Sequence, residues 1–439
     1  MTIKTRKILF YSASILFIVI GVIAIFYSNG WRFDPETMAI NKLGALFFEI
    51  KPDNALISID KTNFKFDSSF LRSGTIIANL FPKKYTVKIS KEGYQTWIKE
   101  LEVRPSLVTQ APPVILLPEK INFNPPLAKK ISNFWLGPKY LIVSKNNALE
   151  FNSQIIIGST VSKWSADGEK VITASENEYF TTDLAIPGSS VNLNLMFENL
   201  QKKSIKDSSQ IKRIDFSPAN KNQYIILTLK GLYAMDIKKY TVEIIRKEPV
   251  DALNYFDDKI IFSVSGKIFI HKPSLGIQEP LLSQDFGNVK EINLSPSGYY
   301  VSIINDSNDL YIFNRKSLVF LKIAENAVLS SFSPDSQKIT FINTNNEIQT
   351  HILEFSEKYA QEKPSRFNFG SIEKIIIWYK DSSHLFIKYP TGLYLLETSS
   401  LPPINLQLVD LETDKFQYSA EENTVYLLRN GDLYKTKLE

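Results

Sequence analysis

The chain begins with one long apolar run and afterwards alternates. Ile8 to Tyr27 reads ILFYSASILFIVIGVIAIFY, and no charged residue occurs between Lys7 and Arg32. Twenty helical residues rise about 30 Å, the thickness of a bilayer's hydrocarbon core. The run is apolar all round, so it predicts a helix surrounded by lipid rather than one lying on a protein core. Tyr11, Ser12 and Ser14 are the polar groups of its first half, and their hydroxyls can bond back to helix carbonyls. Tyr27 and Trp31 stand where an interfacial aromatic belt is expected. Lys4, Arg6 and Lys7 precede the run, which places residues 1–7 in the cytoplasm, 8–27 in the lipid bilayer and the rest outside. A cleaved signal peptide, the competing reading, calls for a shorter apolar core and a small-x-small site. Here Ala24-Ile25-Phe26-Tyr27 runs into Ser28-Asn29-Gly30.

From Leu46 the period becomes two, over a stretch taken as 44–118. Phe48 to Lys51 leads through Pro52-Asp53-Asn54-Ala55 into Leu56 to Asp60, a strand, a turn and a strand. Ile76 to Leu80 and Tyr85 to Ile89 flank a turn at Pro82-Lys83. Glu92-Gly93-Tyr94 makes another turn before the alternation Trp97 to Val103. These residues resemble the PEGA family, a small surface-layer-like β-sandwich. Pro52 and Ala55 match the ends of its name motif, Asp53 and Asn54 depart from it, and Asn54 can still adopt a positive φ. Leu80, Pro82 and Tyr85 follow its "leucine, proline-glycine, tyrosine" pattern with Lys83 in place of glycine, and Gly93, Tyr94 and Trp97 follow its closing one. The resemblance covers about 70 residues and implies a module of anchored envelope proteins, with no generic activity. Pro105, Pro112, Pro113, Pro118, Pro125 and Pro126 then predict an extended linker holding two β-domains apart.

Residues 119–439 repeat themselves. Phe332-Ser333-Pro334-Asp335 is echoed by Trp164-Ser165-Ala166-Asp167-Gly168, by Phe216-Ser217-Pro218-Ala219 and by Leu294-Ser295-Pro296-Ser297-Gly298. Weaker copies start at Trp378 and Tyr418, and degenerate ones at Phe134 and Phe256. In each, an apolar residue ends one strand, a tight turn follows, and an Ile/Val/Phe alternation begins the next. A second motif comes later in the unit: Gly231-Leu232-Tyr233, Asp309-Leu310-Tyr311, Gly392-Leu393-Tyr394 and Asp432-Leu433-Tyr434. Spacing near 40 residues fits four short strands, and such sheets arranged radially form a β-propeller of seven or eight blades, with eight slightly preferred. The fold expected is therefore all-β after the helix. The repeat resembles Tol-system and WD-repeat-like propellers, without the Trp-Asp signature of the latter. The last unit lacks an outer strand, which residues near Ile121 to Leu127 are expected to supply; deleting 119–128 should then sharply lower the melting temperature.

Composition narrows the chemistry. The net charge is +5, but Lys4, Arg6 and Lys7 carry three of those charges ahead of the folded part, so nothing points to nucleic acid. There is no cysteine, which removes disulfides, thiolate metal sites and cysteine nucleophiles. His271, His351 and His384 fall at unrelated offsets with no metal-binding spacing. The loop Asn305 to Asp309 lacks the glycine and distal glutamate of a calcium loop. No nucleophile elbow, P-loop or dinucleotide fingerprint occurs. No cofactor, metal or catalytic residue is expected, and the recurring turn positions Asp167, Gly168, Pro218, Pro296, Gly298, Pro334 and Asp335 read as scaffold. The expected function is a non-enzymatic envelope scaffold whose propeller presents a face to an envelope protein or wall polysaccharide. The alternatives are a carbohydrate-active enzyme with paired carboxylates in the channel, and a sensor, weakened by the short cytoplasmic tail. The order of tail, helix, PEGA-like module and propeller resembles anchored PEGA proteins of small-genome bacteria, which implies a bacterial envelope.

Overall fold

The computed structural model describes residues 3–35, 37–60, 62–65, 74–121, 123, 125–186, 188–204, 210–282, 284–354 and 363–438. Helix α1 (Ile3–Ser28) is long and apolar enough to cross a membrane, and none of its residues is buried. Ser12 and Ser14 donate to the carbonyls of Leu9 and Phe10, at 3.1 and 2.9 Å, as their place in an apolar helix requires. The helix ends where Gly30 takes φ +80° and Arg32 caps the last turn, donating to Tyr27 O at 2.6 Å. A hairpin follows, of β1 (Trp31–Asp34) and β2 (Ala39–Lys42).

The small β-domain has a four-stranded antiparallel sheet in the order Thr62–Lys65, Leu56–Ile59, Lys84–Ser90, Trp97–Glu102. Across its core lies the sheet Val108–Gln110, Gly44–Phe48, Thr75–Leu80, with the first pair parallel. Inward positions follow the period of two. Lys84–Ser90 alternates exposed and buried, so Tyr85, Val87 and Ile89 meet Leu46, Phe48, Ile57 and Trp97 in one core.

The proline-rich stretch is not a spacer. Val114–Ile115 pairs in parallel with Ile50–Lys51, and the run Val114 to Leu117 is buried on both faces. Val114 and Leu116 pack into the small domain's core, while Ile115 and Leu117 pack among Phe386, Leu393, Leu395 and Val409 of the propeller. One extended segment thus belongs to two cores, and the domains it was expected to hold apart are docked.

Beyond residue 132 come seven four-stranded sheets and one three-stranded sheet, each antiparallel and in sequence order. These are eight blades. Their innermost strands are Asn133–Leu136, Thr160–Trp164, Ile211–Phe216, Leu253–Phe256, Val289–Leu294, Ala327–Phe332, Ile377–Trp378 and Lys415–Ser419. Every repeat anchor read from the sequence lies in one of these strands, at or next to its end except Phe134, which is the second residue of its strand. The leucines of the second motif, Leu232, Leu310, Leu393 and Leu433, lie at or next to the start of third strands and are fully buried.

Two details depart from expectation. A helix, α2 (Leu193–Ser204), interrupts the all-β body after blade 2 and accounts for the long interval there. Its N-cap is Asn192, whose Oδ1 accepts from Leu195 N at 3.0 Å, and Leu193, Phe197 and Leu200 bury one face against Ile214, Tyr224 and Tyr233. The segment closing blade 8 also sits later than expected. Leu127 N donates to Leu433 O at 2.7 Å, Leu433 N to Ala128 O at 2.9 Å, and Ile131 N to Gly431 O at 2.8 Å. Pro125 and Pro126 carry no N–H, so pairing begins at the next donor. Ile121 and Phe123 serve instead as apolar packing beside blades 7 and 8; positions 122 and 124 of the expected strand lie outside the described residues.

Candidate functional site

The repeated turn is built on a buried serine. In blade 6, Ser333 Oγ donates to Asp335 Oδ1 at 2.6 Å and accepts from Lys338 N at 2.9 Å, while Gln337 N donates to the same aspartate oxygen at 3.0 Å. Blade 2 repeats this with Ser165, Asp167, Lys170 and Glu169. Those hydrogen bonds, from Ser165 first and then Glu169 N, pull the Asp167 carboxyl down from 3.8 to about 2. Pro218, Pro296 and Pro334 each follow the turn serine, where a fixed φ suits the second turn position. Gly168 and Gly298 take φ +69° and +71°, and a Cβ on Gly298 would overlap the ring of Phe256 in blade 4. Neighbouring turns are linked, Ser297 N donating to Ser336 Oγ at 2.9 Å and Asp335 N to Ser382 Oγ at 3.0 Å. The turn residues are therefore brought into a belt on one side of the ring, and their polar groups are consumed by holding it.

The inner wall of the ring is different. Blades 2 to 6 line a cavity of about 400 Å³ with Lys163, Arg213, Asn254, Lys290, Glu291 and Asn293, together with Asp251. The strands bring these residues together because their first strands touch around the axis. Asn254 Nδ2 donates to Ile292 O at 2.8 Å, and Asn293 Nδ2 to Ser330 O at 2.9 Å. Glu291 Oε1 accepts from Asn293 Nδ2 at 2.6 Å, Ser330 N at 3.1 Å and Ser330 Oγ at 3.0 Å. Burial pushes the Glu291 carboxyl up, against the pull of those donors. Asp215, just behind the cavity, is held by Arg213 Nε at 2.6 Å and Tyr255 OH at 2.8 Å, with Lys163 Nζ at 4.0 Å. Burial, reinforced by Asp215, pushes the Tyr255 hydroxyl well up. On the far side Lys415 Nζ donates to Phe134 O at 3.2 Å and to Asn133 Oδ1, joining blade 8 to blade 1, and burial lowers its pKa. The cavity can hold a polar ligand of mixed charge; its carboxylates each already have protein donors or lie beside serine hydroxyls.

A second polar cluster, absent from the sequence reading, lies where the small domain meets blade 7. Lys99 Nζ is 2.9 Å from Glu397 Oε1 with both side chains fully buried. It also donates to Leu401 O and Pro403 O, each at 2.9 Å. Trp97 Nε1 donates to Glu397 Oε2 at 2.6 Å, and Gln95 and Gln407 exchange hydrogen bonds with the backbone across the interface. Trp97, Tyr85 and Ala55 of the PEGA-like set share the small domain's core, with Tyr94 packed against it. Pro52 and Pro82 lie in turns, and Gly93 turns at φ +76°. The period of two carried a clue: Lys99 alternates with Trp97 and Leu101 on the inward face.

The histidines take separate places. His271 and His351 lie in strands with pKa values lowered by burial. His384 is fully buried, 2.6 Å from Asp381 in the turn of blade 7. Burial disfavours the charged ring, but Asp381 and Glu397 outweigh it and raise its pKa. In the Asn305 to Asp309 loop, Asn305 Oδ1 accepts from Asp309 N at 2.8 Å and Asp309 pairs with Lys322 at 3.0 Å. Among the described residues no group of three or more His, Asp or Glu side chains is arranged to hold a metal.

No family model matches the chain, and no curated protein matches it in sequence. Solved structures that it resembles include PorZ, a surface component of the type-IX secretion system of Porphyromonas gingivalis, at 14% identity and TM-score 0.40. That match covers 70% of this chain and 42% of PorZ. Hsv2 of Kluyveromyces lactis is similar at 11% identity and TM-score 0.43, covering 72% of this chain and 99% of that one. Tricorn protease is similar at 10% and 0.41, covering 86% of this chain and 44% of its own. At such identities and scores the likeness says nothing of function.

Proposed function

We propose that this protein is a membrane-anchored scaffold of the bacterial envelope, whose propeller presents the charged channel mouth to an envelope protein or a wall polysaccharide. The observation that carries the reading is the docking of the small domain on blade 7 through Lys99 and Glu397, which joins two β-domains into one body behind an apolar helix. A rigid body on an anchor suits display at a fixed attitude. The basic residues ahead of α1 favour an extracytoplasmic propeller. The PEGA-like residues Pro52, Ala55, Pro82, Tyr85, Gly93, Tyr94 and Trp97 favour an envelope setting. The turn carboxylates hold the belt of turns, and Glu291 clamps blade 5 to blade 6, so this reading assigns neither a catalytic role.

The test is sedimentation of the full chain in mild detergent with purified peptidoglycan and wall polysaccharide, alongside Lys163→Ala/Arg213→Ala. Saturable binding weakened by the double substitution supports a wall-polymer ligand. Absence of binding, together with specific crosslinks to one envelope protein in native membranes, supports a protein partner. Glycan cleavage abolished by Glu291→Gln would replace the scaffold reading with the enzyme one.

A further inference from the structure

The β1–β2 hairpin exposes apolar side chains that none of the described residues covers. Its register sets Trp31 opposite Lys42 and Phe33 opposite Ile40, so these four share one face. Phe33 is 56% exposed and Ile40 58%, while Met38 beside the turn reaches 75%. The opposite face carries Arg32, Asp34, Ala39 and Asn41. There Arg32 caps α1 and Asp34 accepts from Thr37 Oγ1 at 2.9 Å. A two-stranded ribbon is marginal in water on its own, and an uncovered apolar face weakens it further.

Its position says what covers it. Leu43 N donates to Gly30 O at 3.1 Å, so the hairpin leaves and rejoins the chain at the end of α1. Phe26 of the helix lies 6.0 Å from Trp31, which makes the hairpin's apolar face continuous with the helix surface. Strands of four residues span about 13 Å, more than enough to cross the headgroup layer of about 5–8 Å per leaflet that such a helix must emerge through. Lys42 packs its ammonium 5.3 Å over the Trp31 ring. Exposed Arg104 and Leu107 lie in a loop tied to Leu43 and Ala45 by backbone hydrogen bonds, and exposed Val108 begins the strand that follows it, beside the hairpin's exit. Aromatic and aliphatic side chains rimmed by cations are the pattern that settles at a lipid–water boundary with anionic phosphates.

We propose that the hairpin face of Trp31, Phe33 and Ile40, with Met38 at its tip, lies in the bilayer interface as a second membrane contact, Lys42 and Arg104 facing lipid phosphates. This rests on the reading of α1 as a membrane anchor. It adds that the rigid two-domain body is fixed in orientation as well as tethered.

The natural absence of cysteine makes the test direct. Single-cysteine chains Met38→Cys and Ile40→Cys carry a nitroxide in nanodiscs of phosphatidylcholine and phosphatidylglycerol holding one chain each. Ile15→Cys in α1 and Leu318→Cys on blade 5 are the references. Oxygen, enriched in lipid, and a water-soluble nickel chelate report depth. The expected result is an oxygen-to-nickel accessibility ratio at 38 and 40 several-fold above that at 318, approaching that at 15. A lipid-like value at 15 with water-like values at 38 and 40 overturns the hairpin proposal and leaves the anchor standing. A water-like value at 15 overturns the anchor, and the hairpin proposal with it.

Discussion

Replacing Lys99 with alanine tests whether docking is held by the buried ion pair. Its ammonium lies 2.9 Å from Glu397 and donates to the carbonyls of Leu401 and Pro403, with neither charged side chain reaching solvent. Removing it leaves a buried carboxylate with Trp97 Nε1 and Asn405 Nδ2 as donors. Breaking one side of a buried pair costs about 3–5 kcal/mol. If that loss falls on docking, the equilibrium between docked and undocked small domain shifts roughly 10²- to 10⁴-fold. The pair Lys99→Met with Glu397→Gln removes both charges and should recover most of the loss, since desolvation of the two ions no longer opposes folding. Calorimetry of the full chain in detergent reads the stability, and nitroxides at Lys84→Cys and Leu318→Cys read the distance between domains. Lys99→Ala is expected to split off a lower-temperature transition and broaden the distance distribution, and the double variant to reverse both. A single unshifted transition with an unchanged distance would refute the reasoning.

Further tests address the ring. Ser333→Ala removes a buried hydroxyl that both donates and accepts, and should cost about 1–3 kcal/mol in denaturant midpoint at unchanged slope; Asp335→Asn, which keeps an acceptor, should cost less. Asp167 is held at about 2 against an ordinary 3.8, so its contribution is present above the ordinary value and is lost as pH falls toward the folded one. Melting temperature followed through that acid window should fall more steeply in the native chain than in Asp167→Asn, and parallel curves would show the carboxylate idle. Leu433 is fully buried with Ile131, Phe134 and Tyr426 at the closure, so Leu433→Ala should cost about 2–5 kcal/mol. Deleting 125–131 should cost more, because it strips the paired edge as well; an unchanged melting temperature would show that closure does not matter.

Most of the architecture was written locally. Blades 2, 3, 5 and 6 repeat an apolar strand end with a serine turn, and blades 3, 5, 7 and 8 a buried leucine, at a spacing of about forty residues, so the period survives even where Phe134 and Phe256 have lost the turn motif. The serine itself was undervalued, since its two-way hydrogen bonding appears only once the following strand folds back. Helix α2 was legible in the spacing of Leu193, Phe197 and Leu200 but was hidden by the surrounding period of two. Docking was hardest to see, because Lys99 and Glu397 are some 300 residues apart and a lysine in an alternating strand reads as solvent-facing. The apolar run Val114 to Leu117 was the better signal, being apolar at successive positions where a linker would be polar. The cavity residues Lys163, Arg213 and Glu291 belong to three blades and have no common motif, so only the closed ring reveals them.

The shared segment Val114 to Leu117 also determines where mechanical load travels. A pull on α1 enters the small domain and reaches the propeller by two routes: the docked face on blade 7, and the chain itself, which joins the edge of blade 8 at Leu127. The first route ends on blade 7, and the second at the edge of blade 8 beside its seam with blade 1, where Lys415 and Gln417 grip Asn133 and Leu136. Blades 2 to 6, which line the channel cavity, carry neither route. A pull on α1 is therefore borne by blades 7 and 8, and a ligand seated among the cavity residues of blades 2 to 6 would be shielded from it while the ring stays closed.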